Sequence, residues 1–239
     1  MGVIQGAKDR ARAEVAGAIK DQARRQLAAE GAARLSLRAV ARELGMVSSA
    51  LYRYFPSRDD LLTALIVDAY NALGDTAEAA VERVGTADWM RAWSAVCRAV
   101  RRWALDHPHE YALIYGSPVP GYAAPQDTVA PASRVALVLL EVAQAAHEAG
   151  ALAEPDVPGA DCRSVLADDV RLLLREPGRT LPERAAPRLA AVWAQLFGLI
   201  SFEVFGQYNA VIEDREALFE ATVLVLAHQV GLRPAGPEA

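Results

Sequence analysis

Ser48, Ser49, Tyr52 and Arg53 are polar side chains close together in a short apolar-striped segment. Serine hydroxyls hydrogen-bond the edges of several bases, and arginine suits phosphate oxygens. The sequence contains no nucleophile elbow, glycine-rich phosphate loop or His-Glu-x-x-His pattern that would supply catalysis. These residues therefore predict non-covalent recognition of nucleic acid, and we expect no catalytic residues and no enzyme.

Two short helices must position these side chains. The first has apolar residues at i, i+3, i+4 and i+7, namely Leu37, Val40, Ala41 and Leu44. Ser36 precedes it as a candidate N-cap, and Gly45 follows it where a helix end favours positive φ. The second stripe, predicted to face inward, is Val47, Ala50, Leu51 and Tyr54. Such closely joined helices predict a helix-turn-helix, whose second helix reads the major groove of DNA.

A third helix is predicted immediately downstream. Phe55-Pro56 ends the second helix, because a residue before proline is disfavoured in the α region. Ser57 and Asp60 have capping-box spacing. Arg58 opposes the helix dipole, so a phosphate contact is the interpretation we favour for it.

The run from Leu51 to Arg58, followed by Leu61-Leu62, closely resembles the N-terminal domain of TetR-family transcriptional regulators, and the resemblance covers about residues 12–65. It implies an all-α fold, with a three-helix helix-turn-helix DNA-binding domain over residues 1–60 and a larger helical ligand-binding and dimerisation domain over 61–239. Val47 and Ser49 depart from the family's usual Ser and Gly. The alternative is a generic helical bundle. The residues expected to contact DNA are Ser36, Arg38, Val47, Ser48, Ser49, Tyr52, Arg53, Tyr54 and Arg58.

The distribution of charge supports this interpretation. The chain carries a net charge of −5, but its first 60 residues hold eleven Lys and Arg against seven Asp and Glu, a net +4 that leaves −9 for the remainder. A basic end on an acidic body is typical of a phosphate-facing domain joined to one that does not bind DNA. Lys8, Arg10 and Arg12 lie at the start of a helix predicted over about 8–30, either as an arm touching the duplex or as a solvated end.

Composition limits the remaining possibilities. With 53% hydrophobic and 23% charged residues among 239, the chain can bury a core. We predict no transmembrane helix, no secretory signal and no membrane partner, and hence a cytoplasmic protein. Cys97 and Cys162 fit no metal spacing, so we expect buried free thiols, no metal and no cofactor.

Beyond residue 60 the sequence predicts only helices, over about 59–83, 88–106, 107–115, 132–150, 162–175, 181–207 and 215–230. The last two carry more apolar surface than one inward stripe needs, so we expect them to form a four-helix bundle with a second copy, or otherwise to be buried within one subunit. The expected interface residues are Leu189, Val192, Leu196, Leu199, Ile200, Leu218, Phe219, Val223 and Leu226.

The segment from His107 to Pro125 resembles a regulatory-domain type common among actinobacterial TetR members. That resemblance implies a site for an unidentified small molecule. Aromatic residues of the middle helices are expected to line it, or else to be core: Trp93, Trp103, Tyr111, Tyr115, Trp193 and Phe197. The predicted function is a homodimeric repressor that a small molecule releases from a palindromic double-stranded operator. The alternatives are an activator or regulator without a ligand, or an all-helical enzyme or carrier.

Overall fold

The computed structural model describes residues 2–153, 178–182 and 185–234. Within this part the chain forms nine α-helices and two 3₁₀ turns, Ala32–Arg34 and Gln126–Thr128. The helices are α1 Gly2–Glu30, α2 Leu37–Glu43, α3 Ser48–Leu51, α4 Arg58–Val84, α5 Trp89–Asp106, α6 Pro108–Tyr115, α7 Val129–Glu148, α8 Ala185–Val204 and α9 Arg215–Val230. The all-α prediction is confirmed. The helix predicted over about 162–175 lies outside the described residues.

Two compact units make up the chain. The first combines Met1–Asn71 with His107–Ala132, and the second combines Ala72–Asp106 with Ser133–Ala239. The helix α4 contributes residues to both. This division differs from the predicted boundary at residue 60, because α6 and the proline-rich segment after it belong to the first unit.

The first unit has its core among α1, α2, α3 and the start of α4. Ile19, Leu37, Leu51 and Leu61 are buried there. Side chains returning later in the chain pack against the same core, among them Leu113, Val119 and Tyr122. The hydroxyl oxygens of Tyr122 and Thr63 lie 2.9 Å apart, within hydrogen-bonding distance. The helix-turn-helix therefore rests on two separate chain segments.

The second unit is organised around α5, which packs on α8 and α9. Trp93 of α5 is fully buried, and its indole nitrogen donates a hydrogen bond to the carbonyl of Val223 at 3.1 Å. The Arg101 guanidinium lies over the Phe219 ring and forms a two-pronged ion pair with Glu203, with nitrogen–oxygen distances of 2.7 and 2.8 Å. Cys97 is a buried free cysteine, as predicted, and its burial raises the pKa of the thiol. Cys162 lies outside the described residues.

Candidate DNA-binding interface

The helix α2 begins and ends as the sequence predicts. The Ser36 hydroxyl accepts a hydrogen bond from the Ala39 amide at 3.4 Å. The backbone amide of Ser36 donates a hydrogen bond to the side-chain oxygen of Gln26. Gly45 adopts a φ of +64°, which favours glycine over any residue with a Cβ. The predicted phosphate contact of Ser36 must therefore come from a half-buried hydroxyl that already caps a helix.

The recognition helix is shorter than predicted. Only Ser48–Leu51 is α-helical, and Tyr52 to Tyr54 form the turn that follows. Leu51 is fully buried and fixes this helix to the core, which leaves Ser49, Tyr52 and Arg53 exposed and Ser48 and Tyr54 half-buried. The exposed side chains retain the hydrogen-bonding capacity that the sequence analysis assigned to them.

The side chain of Val47 is exposed, contrary to the predicted inward-facing stripe. It was expected to face inward as part of the apolar stripe, but it is the N-cap of α3 and 69% of its side chain is exposed. Its backbone is extended, with φ −70° and ψ 137°, and it provides no side-chain cap. The error arose because helical spacing was extended to a residue that precedes the helix.

Arg12 contacts the recognition segment, a role that the sequence analysis missed. Its guanidinium donates to the Arg53 carbonyl at 3.1 Å and lies 5.5 Å from the centroid of the Tyr54 ring. Lys8 and Arg10, interpreted as either an arm or a solvated end, lie within α1, which extends back to Gly2. No sequence signal marked this contact, because the two residues lie 41 positions apart.

Arg58 also has a different environment from the predicted one. Its guanidinium donates to the carbonyls of Ala32 and Ala33 at 3.0 and 3.3 Å, and lies 3.6 Å from the Asp59 carboxylate. A cation at this helix start is thus explained by carbonyl acceptors of the turn between α1 and α2, without a phosphate. Ser57 caps α4, since the Asp60 amide donates to the Ser57 hydroxyl at 3.1 Å, and that hydroxyl in turn donates to the Asp60 carboxylate at 2.7 Å.

The remaining cations divide into paired and unpaired groups. Lys20 and Arg24 both contact the Asp68 carboxylate at 2.7 Å, so part of the positive charge is neutralised within the unit. Arg38 and Arg53 are exposed, and neither side chain has a hydrogen-bond or ion-pair partner in the described part of the chain. These two arginines are the better candidates for phosphate.

The six aromatic residues predicted to line a ligand pocket fall in different units. Tyr111 and Tyr115 belong to the first, where their ring centroids lie 5.2 Å apart. The other four belong to the second, where Trp193 and Phe197 are also 5.2 Å apart, and Trp93 and Trp103 are buried. Trp93 is used as core, which was the alternative interpretation.

A groove with a volume of about 480 Å³ lies elsewhere in the second unit. It includes none of the predicted aromatic residues. Its lining is largely charged and polar, and comprises Glu78, Arg134, Leu137, Val138, Glu141, Gln144, Gly178 and Arg179. Arg134 forms an ion pair with Glu78 at 2.6 Å across the wall. No cluster of three His, Cys, Asp or Glu side chains suited to a metal occurs within the described residues.

Most of the predicted dimer-interface residues are not accessible. Six of them are almost completely buried within the subunit, namely Val192, Leu196, Ile200, Phe219, Val223 and Leu226. Leu189, Leu199 and Leu218 are half-buried. The six belong to the inward stripes of α8 and α9, which agrees with the alternative of burial within one subunit for these positions.

Two helices are long and apolar enough to cross a membrane, Gln126–Glu148 and Ala185–Val204. Core helices of soluble proteins meet the same criterion, so this is weak evidence. Gln126–Glu148 also contains Arg134, which forms an ion pair with Asp75.

A short helix-turn-helix that exposes Ser49, Arg38 and Arg53, followed by a larger set of helices, is the arrangement of a helix-turn-helix DNA-binding protein. The family model for bacterial regulatory proteins of the tetR family matches residues 19–65, and the model for the tetracyclin repressor-like C-terminal domain matches residues 93–226. The chain belongs to the TetR family of bacterial transcriptional regulators.

Relatives of similar length support this conclusion. The HTH-type transcriptional regulator Rv1816 of Mycobacterium tuberculosis is 42% identical over 92% of this chain and 94% of its own. Mb1846 of Mycobacterium bovis matches to the same extent. The crystal structure of the regulatory protein SCO4313 superposes with a TM-score of 0.74 at 36% identity, covering 92% of this chain and 98% of that one. PfmR from Thermus thermophilus, at 18% identity and a TM-score of 0.59, shares the fold. The relatives are named as regulators, which points to a protein that is not an enzyme.

Proposed function

We propose that this regulator is a cytoplasmic homodimeric repressor that leaves a palindromic operator when a small molecule binds its second unit. The observation that supports dimerisation is an apolar stripe on α8 and α9 that remains exposed in the single chain. Two recognition helices related by a two-fold axis would then meet the two half-sites of a palindrome.

The stripe lies on the side of each helix opposite the buried one. Phe202, Leu224 and Val225 are 52%, 49% and 54% exposed. Small residues at helical spacing, Ala194 and Gly198 on α8, continue the surface. Helices with two apolar faces are typical of a bundle in which one face packs within the subunit and the other against a second copy. We call this surface the outer stripe.

Sedimentation velocity of Val225→Glu tests the dimer. An unpaired carboxylate desolvated at an interface costs about 2 kcal/mol or more, so the dimer should weaken by at least about 30-fold. Leu105→Glu is the matched control, because Leu105 is an exposed apolar residue of α5 in the same unit. The proposal fails if the wild type sediments as a 25.6 kDa monomer at micromolar concentration, or if both variants dimerise as the wild type does.

The groove of about 480 Å³ is the place where we propose that a ligand binds, because its volume is within the size range of small-molecule sites; its charged lining differs from the usual apolar one, so the ligand we propose is polar. A ligand at about 100 times its Kd stabilises the folded state by about 2.7 kcal/mol. We expect such a ligand from a metabolite panel to raise Tm by about 5–10 °C. Glu141→Ala should reduce the shift, whereas Glu82→Ala, an exposed acid of α4, should leave it unchanged.

An activator, or a regulator without a small ligand, is the alternative function. A gel shift with DNA from upstream of the regulator's own gene, repeated with each stabilising ligand, separates these cases. Loss of the shifted band on adding ligand supports the repressor. A ligand that stabilises the protein and leaves the band unchanged contradicts release by induction.

A further inference from the structure

We propose that Val47 reads the C5-methyl group of a thymine in each half-site, and so supplies base selectivity that the neighbouring serines cannot. This rests on the DNA-binding function and is independent of the proposed ligand. It concerns the one residue at the start of the recognition helix that can form no hydrogen bond through its side chain.

Val47 lies at the start of the recognition helix. It directly precedes Ser48 as the N-cap of α3, and the N-terminal residues of a second helix are those that meet base edges in the major groove. Its carbonyl accepts the Ala50 amide at 2.9 Å, so the backbone is fixed in the cap geometry. The side chain is therefore presented from a defined site next to the two serines.

In the free protein, Val47 neither caps the helix with its side chain nor is buried in the core. A valine at an N-cap provides no acceptor for the exposed amides of the first turn, a position where Ser, Thr, Asp and Asn are preferred. At the same time 69% of its apolar side chain faces water, more than any other large apolar side chain described up to Asn71. Neither local helix stability nor the core explains a valine here, but an apolar partner on DNA would.

The apolar side chain of Val47 matches one chemical group in the major groove. Thymine carries the only apolar group, its C5-methyl, on the major-groove edges of the bases. The hydroxyls of Ser48 and Ser49 hydrogen-bond either donors or acceptors and discriminate weakly among bases. Burying the branched Val47 side chain against a methyl group removes both apolar groups from water, which favours thymine over cytosine and over uracil.

Deoxyuridine substitution tests this directly, since it removes only the methyl group of thymine. A preferred duplex is first selected from random-sequence DNA with the full-length protein, and each dT of one half-site is then replaced by deoxyuridine. We expect one position at which wild-type affinity falls about fourfold, the value for one buried methyl group. Val47→Ala should bind the original duplex more weakly and lose its response to deoxyuridine at that position.

Two further variants separate recognition from folding. Val47→Ser supplies a capping hydroxyl, so its Tm should equal or exceed that of the wild type while its response to deoxyuridine is lost. Val129→Ala truncates another exposed valine and should retain the full response. Absence of any deoxyuridine-sensitive position in the wild type, or the same sensitivity in Val47→Ala, overturns the proposal. A protein that enriches no sequence overturns it together with the DNA-reading function.

Discussion

Arg58 and Arg38 are both arginines of the DNA-binding unit, and the structure predicts opposite consequences for their removal. Arg58 donates to the carbonyls of Ala32 and Ala33 with only 29% of its side chain exposed. Arg38 is exposed and has no side-chain partner in the described part of the chain. Arg58→Ala should therefore destabilise the fold, and Arg38→Ala should weaken DNA binding.

The magnitudes follow from these contacts. A hydrogen bond from a charged donor contributes about 1.5–3 kcal/mol, and partial exposure and the sharing of one nitrogen reduce this to about 1 kcal/mol for Arg58. For a chain of this size, that lowers Tm by about 2–4 °C. Loss of one phosphate contact changes the slope of log K against log salt concentration by about 0.9, so Arg38→Ala should reduce it by about 1.8 in a dimer.

Thermal unfolding and DNA binding over a salt series measure both quantities for both variants. Arg58→Ala should show the lower Tm with an unchanged salt slope, and Arg38→Ala the lower slope with stability within about 0.5 kcal/mol of wild type. If Arg58→Ala reduces the salt slope and leaves Tm unchanged, its guanidinium binds phosphate, and the assignment to the carbonyls fails.

Three other variants test separate contacts. Arg12→Ala removes the bond to the Arg53 carbonyl and the contact with Tyr54, so affinity for the selected duplex should fall several-fold with little change in Tm; an unchanged affinity would show that Arg12 does not position the reader. Gly74→Ala should destabilise by about 1–2 kcal/mol, because the added Cβ would lie 2.7–2.9 Å from Arg134 side-chain atoms, whereas Gly17→Ala, with nothing within 4 Å, should stabilise by up to about 1 kcal/mol in chemical denaturation. The hydrogen bond from Arg98 lowers the pKa of Glu220, so the pairing stabilises the folded state at neutral pH and this contribution is lost as the pH falls through the lowered pKa. Arg98→Gln should therefore reduce the free energy of unfolding at pH 7 by no more than about 1 kcal/mol and have no effect at strongly acidic pH. An equal loss of stability at both pH values would contradict the pairing.

The spacing of neighbouring residues predicted the helices, caps and turns of the helix-turn-helix, because each of these features depends only on residues close in sequence. Ser36 caps α2, Gly45 takes a positive φ, and Ser57 with Asp60 opens α4, as spacing alone indicated. The burial of Leu37 and Leu51 follows from the same periodicity. These features require only the short-range geometry of a helix and its ends.

Long-range partners were not predictable in the same way. Helical spacing marks which residues share a face, but α8 and α9 each have two apolar faces, and spacing does not say which one the subunit itself covers. The interface was therefore predicted on the stripe that the subunit itself buries, including Leu196 and Val223, whereas the outer stripe with Val225 is the surface that remains exposed. Likewise, the carbonyl acceptors of Arg58 were not predictable, because they lie 25 and 26 residues earlier in the chain.

The segment that follows α5 connects the second unit with the helix-turn-helix core along the chain. His107–Ala132 returns to the first unit, where Leu113 and Val119 pack on the helix-turn-helix core and Tyr122 lies within hydrogen-bonding distance of Thr63. The same segment follows α5, which ends at residue 106 in the second unit, and it includes the first residues of α7, which belongs to the second unit from residue 133 onward. We propose that a ligand that shifts α5 or α7 also shifts residues that support the recognition helix. Coupling of this kind requires only that a ligand favour one arrangement of those helices over the other.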